Sequence, residues 1–208
     1  MASPNQAFYL QRIKSGLSES IAVKRKLLDD ERAMTVLVAM ATEIARAIKQ
    51  GGKLLICGNG GSAADSQHLA AELVVRLRPN VDRGGLPALS LALDAPTLTA
   101  CGNDYGYDRI FARCLEALGR SGDVLLGITT SGKSPNILAA LDKAADMGVV
   151  RFGFLGGDGG PALDRCERAF SPPSNVVARV QECHITAGHL LMEMIEDMCL
   201  ADGATEKA

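Results

Sequence analysis

The sequence contains no tryptophan, and aromatic residues of every kind make up only 4% of it. None falls in the glycine-rich loops, so recognition of a ligand by ring stacking is not expected. No apolar run reaches the roughly 18 residues that a membrane-spanning helix needs. The opening residues, MASPNQAFYLQRIKSG, hold no apolar stretch of the secretory kind, and no signal peptide is read there. A basic excess is missing too: Lys+Arg 22 against Asp+Glu 24 gives a net charge of -2, with no basic run for nucleic acid. The 6 cysteines are scattered and never form a CxxC pair. They read as reduced, mostly packed residues of a cytoplasmic protein. There is no internal repeat, and the final ADGATEKA reads as a frayed polar tail.

What is present fits one soluble domain of 208 residues, 47% hydrophobic and 22% charged. The chain is organised around Lys53 to Leu77, KLLICGNGGSAADSQHLAAELVVRL. Lys53 to Cys57 is a short apolar run, the pattern of a buried parallel strand. Gly58-Asn59-Gly60-Gly61-Ser62 cannot continue it. Its glycines permit positive φ, and its backbone N–H groups can converge on an anion. The helix that follows presents the partial positive charge of its N-terminus to the same place. One turn further on, His68 and Glu72 stand four residues apart on one helix face.

Two long helices precede that strand, from Pro4 to about Leu28 and from Glu31 to Gln50. They either cover the sheet or pack against a second subunit. Later strands are read at Pro87–Leu93, Asp123–Ile128, Val149–Leu155 and Arg168–Ser171. Asp94 to Asp104 carries a short helix that gives way to CGNDYGYD, a turn-rich loop, and further helices are read at Asp108–Leu118, Pro135–Met147 and Asn175–Ala201. Such alternation predicts an α/β fold: a doubly wound, five-stranded parallel sheet of flavodoxin-like type with long terminal helices. Its ligands are expected at the carboxyl ends of the strands.

A second loop, Thr129-Thr130-Ser131-Gly132-Lys133-Ser134, follows the third of these strands. Its hydroxyls either donate to phosphate or cap the next helix. Two such loops at one sheet edge suit a phosphorylated substrate. GITTSGKS also matches the nucleotide P-loop pattern. That reading ranks second, because the best acid-terminated strand, ending at Asp94, precedes the loop. His68 and Glu72 alone do not make a metal site, since zinc needs three or four ligands. Further donors lie in RVQECHITAGH. His184 and His189 point about 140° apart on a helix, with Gln181 between them. Spacing does not say which histidine joins Glu72.

Taken together, CGNGGSAADSQHLAAEL, LTACGNDYGYD, GDVLLGITTSGKSPNILAAL and RVQECHITAGHLLMEMIE resemble the successive blocks of the phosphoheptose isomerase family, which has the sugar isomerase (SIS) fold. The resemblance covers nearly the whole chain as one domain, 1–208, with 1–50 as a helical segment used in oligomer packing and 201–208 as the tail. It implies an aldose–ketose isomerase that converts sedoheptulose 7-phosphate to D-glycero-D-manno-heptose 7-phosphate through an enediolate. That is the first step toward bacterial heptose precursors of lipopolysaccharide or capsule. Substrate contacts are implied at Asn59, Gly60, Gly61, Glu72, Asn103, Asp104, Thr129, Thr130, Ser131, Ser134 and Gln181. One zinc per subunit is implied at His68, Glu72, Gln181 and His189, with Glu72 and His189 as the catalytic acid–base pair and Asp65 as a helper. The resemblance further implies a cytoplasmic homotetramer, with neither nucleic acid nor membrane as partner. SIS relatives that bind a replication initiator without isomerase chemistry form the alternative class. They lack the glutamate and the final histidine, and carry GNGTS where this chain has GNGGS.

Overall fold

A computed structural model describes residues 4–92 and 94–201. Residues 1–3, Leu93 at the end of the expected second strand, and the tail beyond Ala201 lie outside the described residues. Five strands form the sheet: β1 (Leu54–Gly58), β2 (Ala88–Ser90), β3 (Val124–Thr129), β4 (Val150–Leu155) and β5 (Arg168–Phe170). Every pairing is parallel, and the spatial order is β2-β1-β3-β4-β5. This is the order expected of the flavodoxin-like arrangement, in which the chain reverses its winding between β1 and β3.

Alternation along the strands divides the core. Leu54, Ile56, Leu126 and Phe152 face one layer, where α2 (Glu31–Lys49), α3 (Gly61–Val74) and α8 (Val177–Ala201) pack. Leu55, Cys57 and Leu125 face the other, beneath α5 (Ile110–Leu118), α6 (Pro135–Asp146) and α7 (Gly160–Leu163). Strand β1 is buried over its whole length, which explains why it reads as an unbroken apolar run.

Local chemistry sets the element ends. Asp30 caps α2 by accepting from the backbone N–H groups of Arg32 and Ala33, each at 3.1 Å. Asp94 caps α4 (Ala95–Tyr105) by accepting from Thr97 N at 3.0 Å. That helix runs through Asn103 and Asp104, so the expected turn-rich loop is helical as far as Tyr105, and a 3₁₀ turn follows at Tyr107–Arg109. Strand β2 is shorter than Pro87–Leu93 because the Ser90 hydroxyl accepts from Ala92 N at 3.1 Å and turns the chain. The short α7 starts at the last glycine of the GGDGG stretch, which the sequence pattern did not reveal.

The two N-terminal helices differ in burial. Helix α2 buries Leu37, Met40, Ala41 and Ile44 against the domain. In α1 (Pro4–Leu28), Phe8, Ile13, Leu17, Ile21 and Leu28 stay exposed.

Asp123 sits just before β3 rather than within it, fully buried. It accepts from Lys53 N at 2.9 Å and from Arg120 N at 3.0 Å, and pairs with the Lys53 ammonium. It thereby clasps the start of β1 to the start of β3. Removing the carboxylate leaves a half-buried ammonium and two backbone donors without their partner. Asp123→Ala is expected to lower unfolding free energy by about 3 kcal/mol in denaturant titration, and Asp123→Asn by less. Equal, negligible losses would show that the clasp is dispensable.

Candidate active site

The reversal between β1 and β3 sends α3 to one face of the sheet and α6 to the other. Ligands of such sheets bind at this switch point, and both loops lie at it. In the first loop, Gly60 has φ +56°, a left-handed conformation that glycine adopts without a Cβ penalty. Asn59 ties the first loop to the first turn of α6 (Pro135–Asp146), just after the second. Its Nδ2 donates to Asn136 Oδ1 and its Oδ1 accepts from Asn136 Nδ2, each at 2.8 Å. Tyr107 adds a third bond, its hydroxyl donating to Asn59 Oδ1 at 2.9 Å. Three such bonds at about 1 kcal/mol each fix the Asn59 amide. One of its N–H groups remains for a ligand.

In the second loop, Thr129 is buried at the end of β3, and its hydroxyl lies 3.1 Å from that of Ser134. Ser134 stands at the N-cap of α6, yet its side chain makes no cap bond. The hydroxyl therefore points into the loop, which settles for Ser134 the choice between capping and loop. Thr130 is half-buried and Ser131 exposed, with Lys133 N donating to Ser131 Oγ at 3.2 Å. Lys133 is exposed, and the Asp94 carboxylate is spent on its helix cap, so the parts of a nucleotide P-loop do not assemble here. Asn103 and Asp104 lie exposed at the end of α4, where the Asn103 amide donates to the Asp104 carboxylate at 2.8 Å.

A group of side chains able to hold a metal ion forms between α3 and α8. His68 Nε2 lies 2.8 Å from His189 Nε2 and 3.3 Å from Glu72 Oε1. Among the described residues, these three are the group of His, Cys, Asp and Glu able to gather on one ion, their ligand atoms all within 4.8 Å of one another. The fit to zinc can be tested on distance. A tetrahedral ion with Zn–N of roughly 2.0–2.1 Å sets its ligands roughly 3.3 Å apart. The His68–Glu72 spacing already has that value, and the imidazoles need part by only about half an ångström. Two imidazoles and a carboxylate are also a usual zinc donor set. Gln181, two turns before His189 on α8, turns its amide toward the first loop, where its Nε2 is the atom nearest a Cβ built on Gly61. Asp65, one turn before His68, feels both imidazoles. Burial raises its carboxyl above the ordinary range, and His68 and His189 pull the other way.

The close approach depends on Gly188. A Cβ there would stand 2.7 and 2.8 Å from the two methyls of Leu69. Without it, α8 packs directly on α3 beside His68.

His184 takes no part in this group. It is 1% exposed, its Nε2 donates to the Leu155 carbonyl at 2.7 Å, and its ring lies 5.6 Å from that of Phe154. The helix turns it into the core below β4 and leaves His189 for the site. Sequence reasoning missed Asn136 and Tyr107. The aromatic scarcity pointed away from a tyrosine, yet Tyr107 contributes a hydroxyl rather than a stacking face.

Comparison with known proteins places these features in a family. A model described as the SIS domain matches residues 19–155. The phosphoheptose isomerase of Chlorobaculum parvum is 47% identical over 192 residues, 88% of this chain and 92% of its own. That of Paramagnetospirillum magneticum is 58% identical over 146 residues, 70% of this chain and 75% of its own. The solved phosphoheptose isomerase from Neisseria gonorrhoeae has the same fold at a TM-score of 0.83 and 36% identity, covering 90% of this chain and 99% of that one.

Burial pushes the His184 imidazole down from 6.5 to about 4, against the bond to Leu155, which raises it. The unfolded ring takes up its proton at higher pH than the folded one. Stability from this group is therefore complete above pH 6.5 and drains away as the pH falls toward 4. The loss amounts to about 3 kcal/mol. Denaturant titrations should show that slope in the wild type and a flatter one in His184→Gln. Parallel curves would refute the assignment.

Proposed function

The chain belongs to the phosphoheptose isomerases of the SIS-domain family, and from that premise we propose that it interconverts sedoheptulose 7-phosphate and D-glycero-D-manno-heptose 7-phosphate. The observation that carries this reading is the convergence of Glu72, His68 and His189 from helices more than a hundred residues apart.

The chemistry needs a base at carbon and an acid at oxygen. The Glu72 carboxylate takes a proton from C1 of the open-chain ketose while His189 delivers one to the carbonyl oxygen at C2. The resulting cis-enediol collapses when the proton is returned to C2 and the O1 hydroxyl gives up its own. C1 is left as the aldehyde. Zinc held by His68, Glu72, His189 and Gln181 would supply positive charge beside the two oxygens, which is where negative charge develops.

The far end of the sugar is held by the loops. Thr129, Thr130, Ser131 and Ser134 donate to the phosphate, together with the N-terminus of α6. Asn59, Gly60 and Gly61 face the sugar from the first loop, and Asn103 and Asp104 contact it from α4. Binding energy at the phosphate thus positions C1 and C2 at the acid–base pair. Asp65, near both imidazoles, helps to orient them.

The exposed apolar stripe of α1 supports its use in packing against further copies, and a homotetramer suits it. No described helix is long and apolar enough to cross a membrane. We place the enzyme in the cytoplasm, at the start of heptose precursor synthesis for lipopolysaccharide or capsule.

Glu72→Gln and His189→Ala are each expected to lower kcat for sedoheptulose 7-phosphate by about 10²- to 10⁴-fold. Metal content should fall with them. Full activity in both variants would discard the mechanism, and Lys133-dependent ATP hydrolysis would revive the nucleotide reading.

A further inference from the structure

Two arginines of the connection after α3 meet one acid on α8. Glu196 lies two turns beyond His189 and is 1% exposed. Its Oε2 accepts from Arg83 Nε at 2.6 Å, and its Oε1 from Arg78 Nε at 2.6 Å. The arginines differ in everything else. Arg78 is partly exposed, and its other bond goes to Asp197 at the surface. Arg83 is buried, its side chain 2% exposed. Its remaining nitrogens donate to three carbonyls: Glu72 and Gly84 at 2.9 Å and Leu73 at 2.8 Å.

Glu72 and Leu73 lie in the last turn of α3, where carbonyls lack partners within the helix. Arg83 supplies the partner for the Glu72 carbonyl and shares the Leu73 carbonyl with the backbone N–H of Leu86. It therefore caps the helix that carries Glu72 while gripping the helix that carries His189. We propose that Arg83, held by Glu196, is a positioning residue for the isomerisation: it sets where α3 ends against α8, and so the gap between the Glu72 carboxylate and the His189 ring. The proposal rests on the reading of those two as the acid–base pair.

The residue type fits the task. A guanidinium is planar and presents five donors in a fixed fork, so it can serve a carboxylate and several carbonyls in different directions at once. A lysine keeps the charge and loses the fork. The burial also argues for more than stability. An ion pair withdrawn from water gives little advantage over an apolar contact of the same shape. What it adds here is direction. A misplacement of about 1 Å between reacting groups costs on the order of 10²-fold in rate.

Arg78 provides an internal control, since it pairs with the same carboxylate and touches no carbonyl of α3. Wild type, Arg83→Lys and Arg78→Gln should be compared in turnover of sedoheptulose 7-phosphate and in titration with cobalt(II), read by its visible absorption. Arg83→Lys is expected to lower kcat about 10- to 100-fold, with KM within about twofold, and to alter the cobalt spectrum. Arg78→Gln should leave kcat, KM and spectrum as in wild type. Equal losses in both variants, following their thermal stabilities, would reduce the arrangement to a structural ion pair and overturn the proposal. Wild-type kinetics in Arg83→Lys would do the same. Should Arg83→Lys not fold, the isosteric Glu196→Gln takes its place, with a lowered kcat at unchanged KM expected and an unchanged kcat overturning the idea. A wild type that binds cobalt but turns over no sugar phosphate would sink the functional reading alone, and the cobalt spectra of the variants would then decide on Arg83.

Discussion

The structure depends on how closely α8 can lie against α3. His68 and Glu72 share a helix face by their spacing, but a pair of side chains on one helix is only a surface contact worth a few tenths of a kcal/mol. It becomes a site when His189 arrives from the other helix and brings its Nε2 to 2.8 Å from that of His68. The backbone decides this. Gly188 removes the Cβ that would otherwise press on Leu69, so the helices meet side by side next to the imidazoles. Leu69 and Leu191, both fully buried, keep them there through the apolar core. Further along, Arg83 and Glu196 join the same helices by polar contacts. One interface is thus held by a close approach, by apolar packing and by a buried charge, with His68, Glu72 and His189 beside it.

Topology supplies the rest. The strand order puts the loops after β1 and β3 next to each other and sends their helices to opposite faces. The first loop is bound to the first turn of α6, 77 positions on, through the Asn59–Asn136 amide pair. This bonded pair braces the switch point beside a loop with hydroxyls for an anion, while His68, Glu72 and His189 gather further along α3. A sugar phosphate has the same two-ended character, an anionic tail and a carbonyl head. Fixing the tail fixes the head, which is how binding far from the reacting carbons serves catalysis.

Much of this could be read from the chain itself. The parallel sheet was legible because β1, β3 and β4 are buried on both faces and show as apolar runs between glycine turns. His68 with Glu72 was legible from helical spacing, and the hydroxyl loop from its composition. Spacing could not choose between His184 and His189. That choice depends on which face of α8 meets the sheet, and the Leu155 carbonyl takes His184 out of the site. Asn136, Tyr107, Arg83 and Glu196 carried no local signal. Each acquires its role by meeting a residue distant in sequence: Tyr107 and Asn136 meet Asn59 across 48 and 77 positions, and Arg83 meets Glu196 across 113. The helical course of Asn103 and Asp104 was hidden for a different reason. A Gly-Asn-Asp run favours turns, and the Asp94 cap with its following proline overrides that preference.

The central claim is that α3 and α8 together hold one ion between their side chains. Crystals grown with zinc and measured at the zinc absorption edge test it directly. The account predicts a single anomalous peak per chain within about 2.3 Å of His68 Nε2, His189 Nε2 and a Glu72 carboxylate oxygen. A peak elsewhere, with the two imidazoles turned apart and Glu72 in solvent, would contradict it.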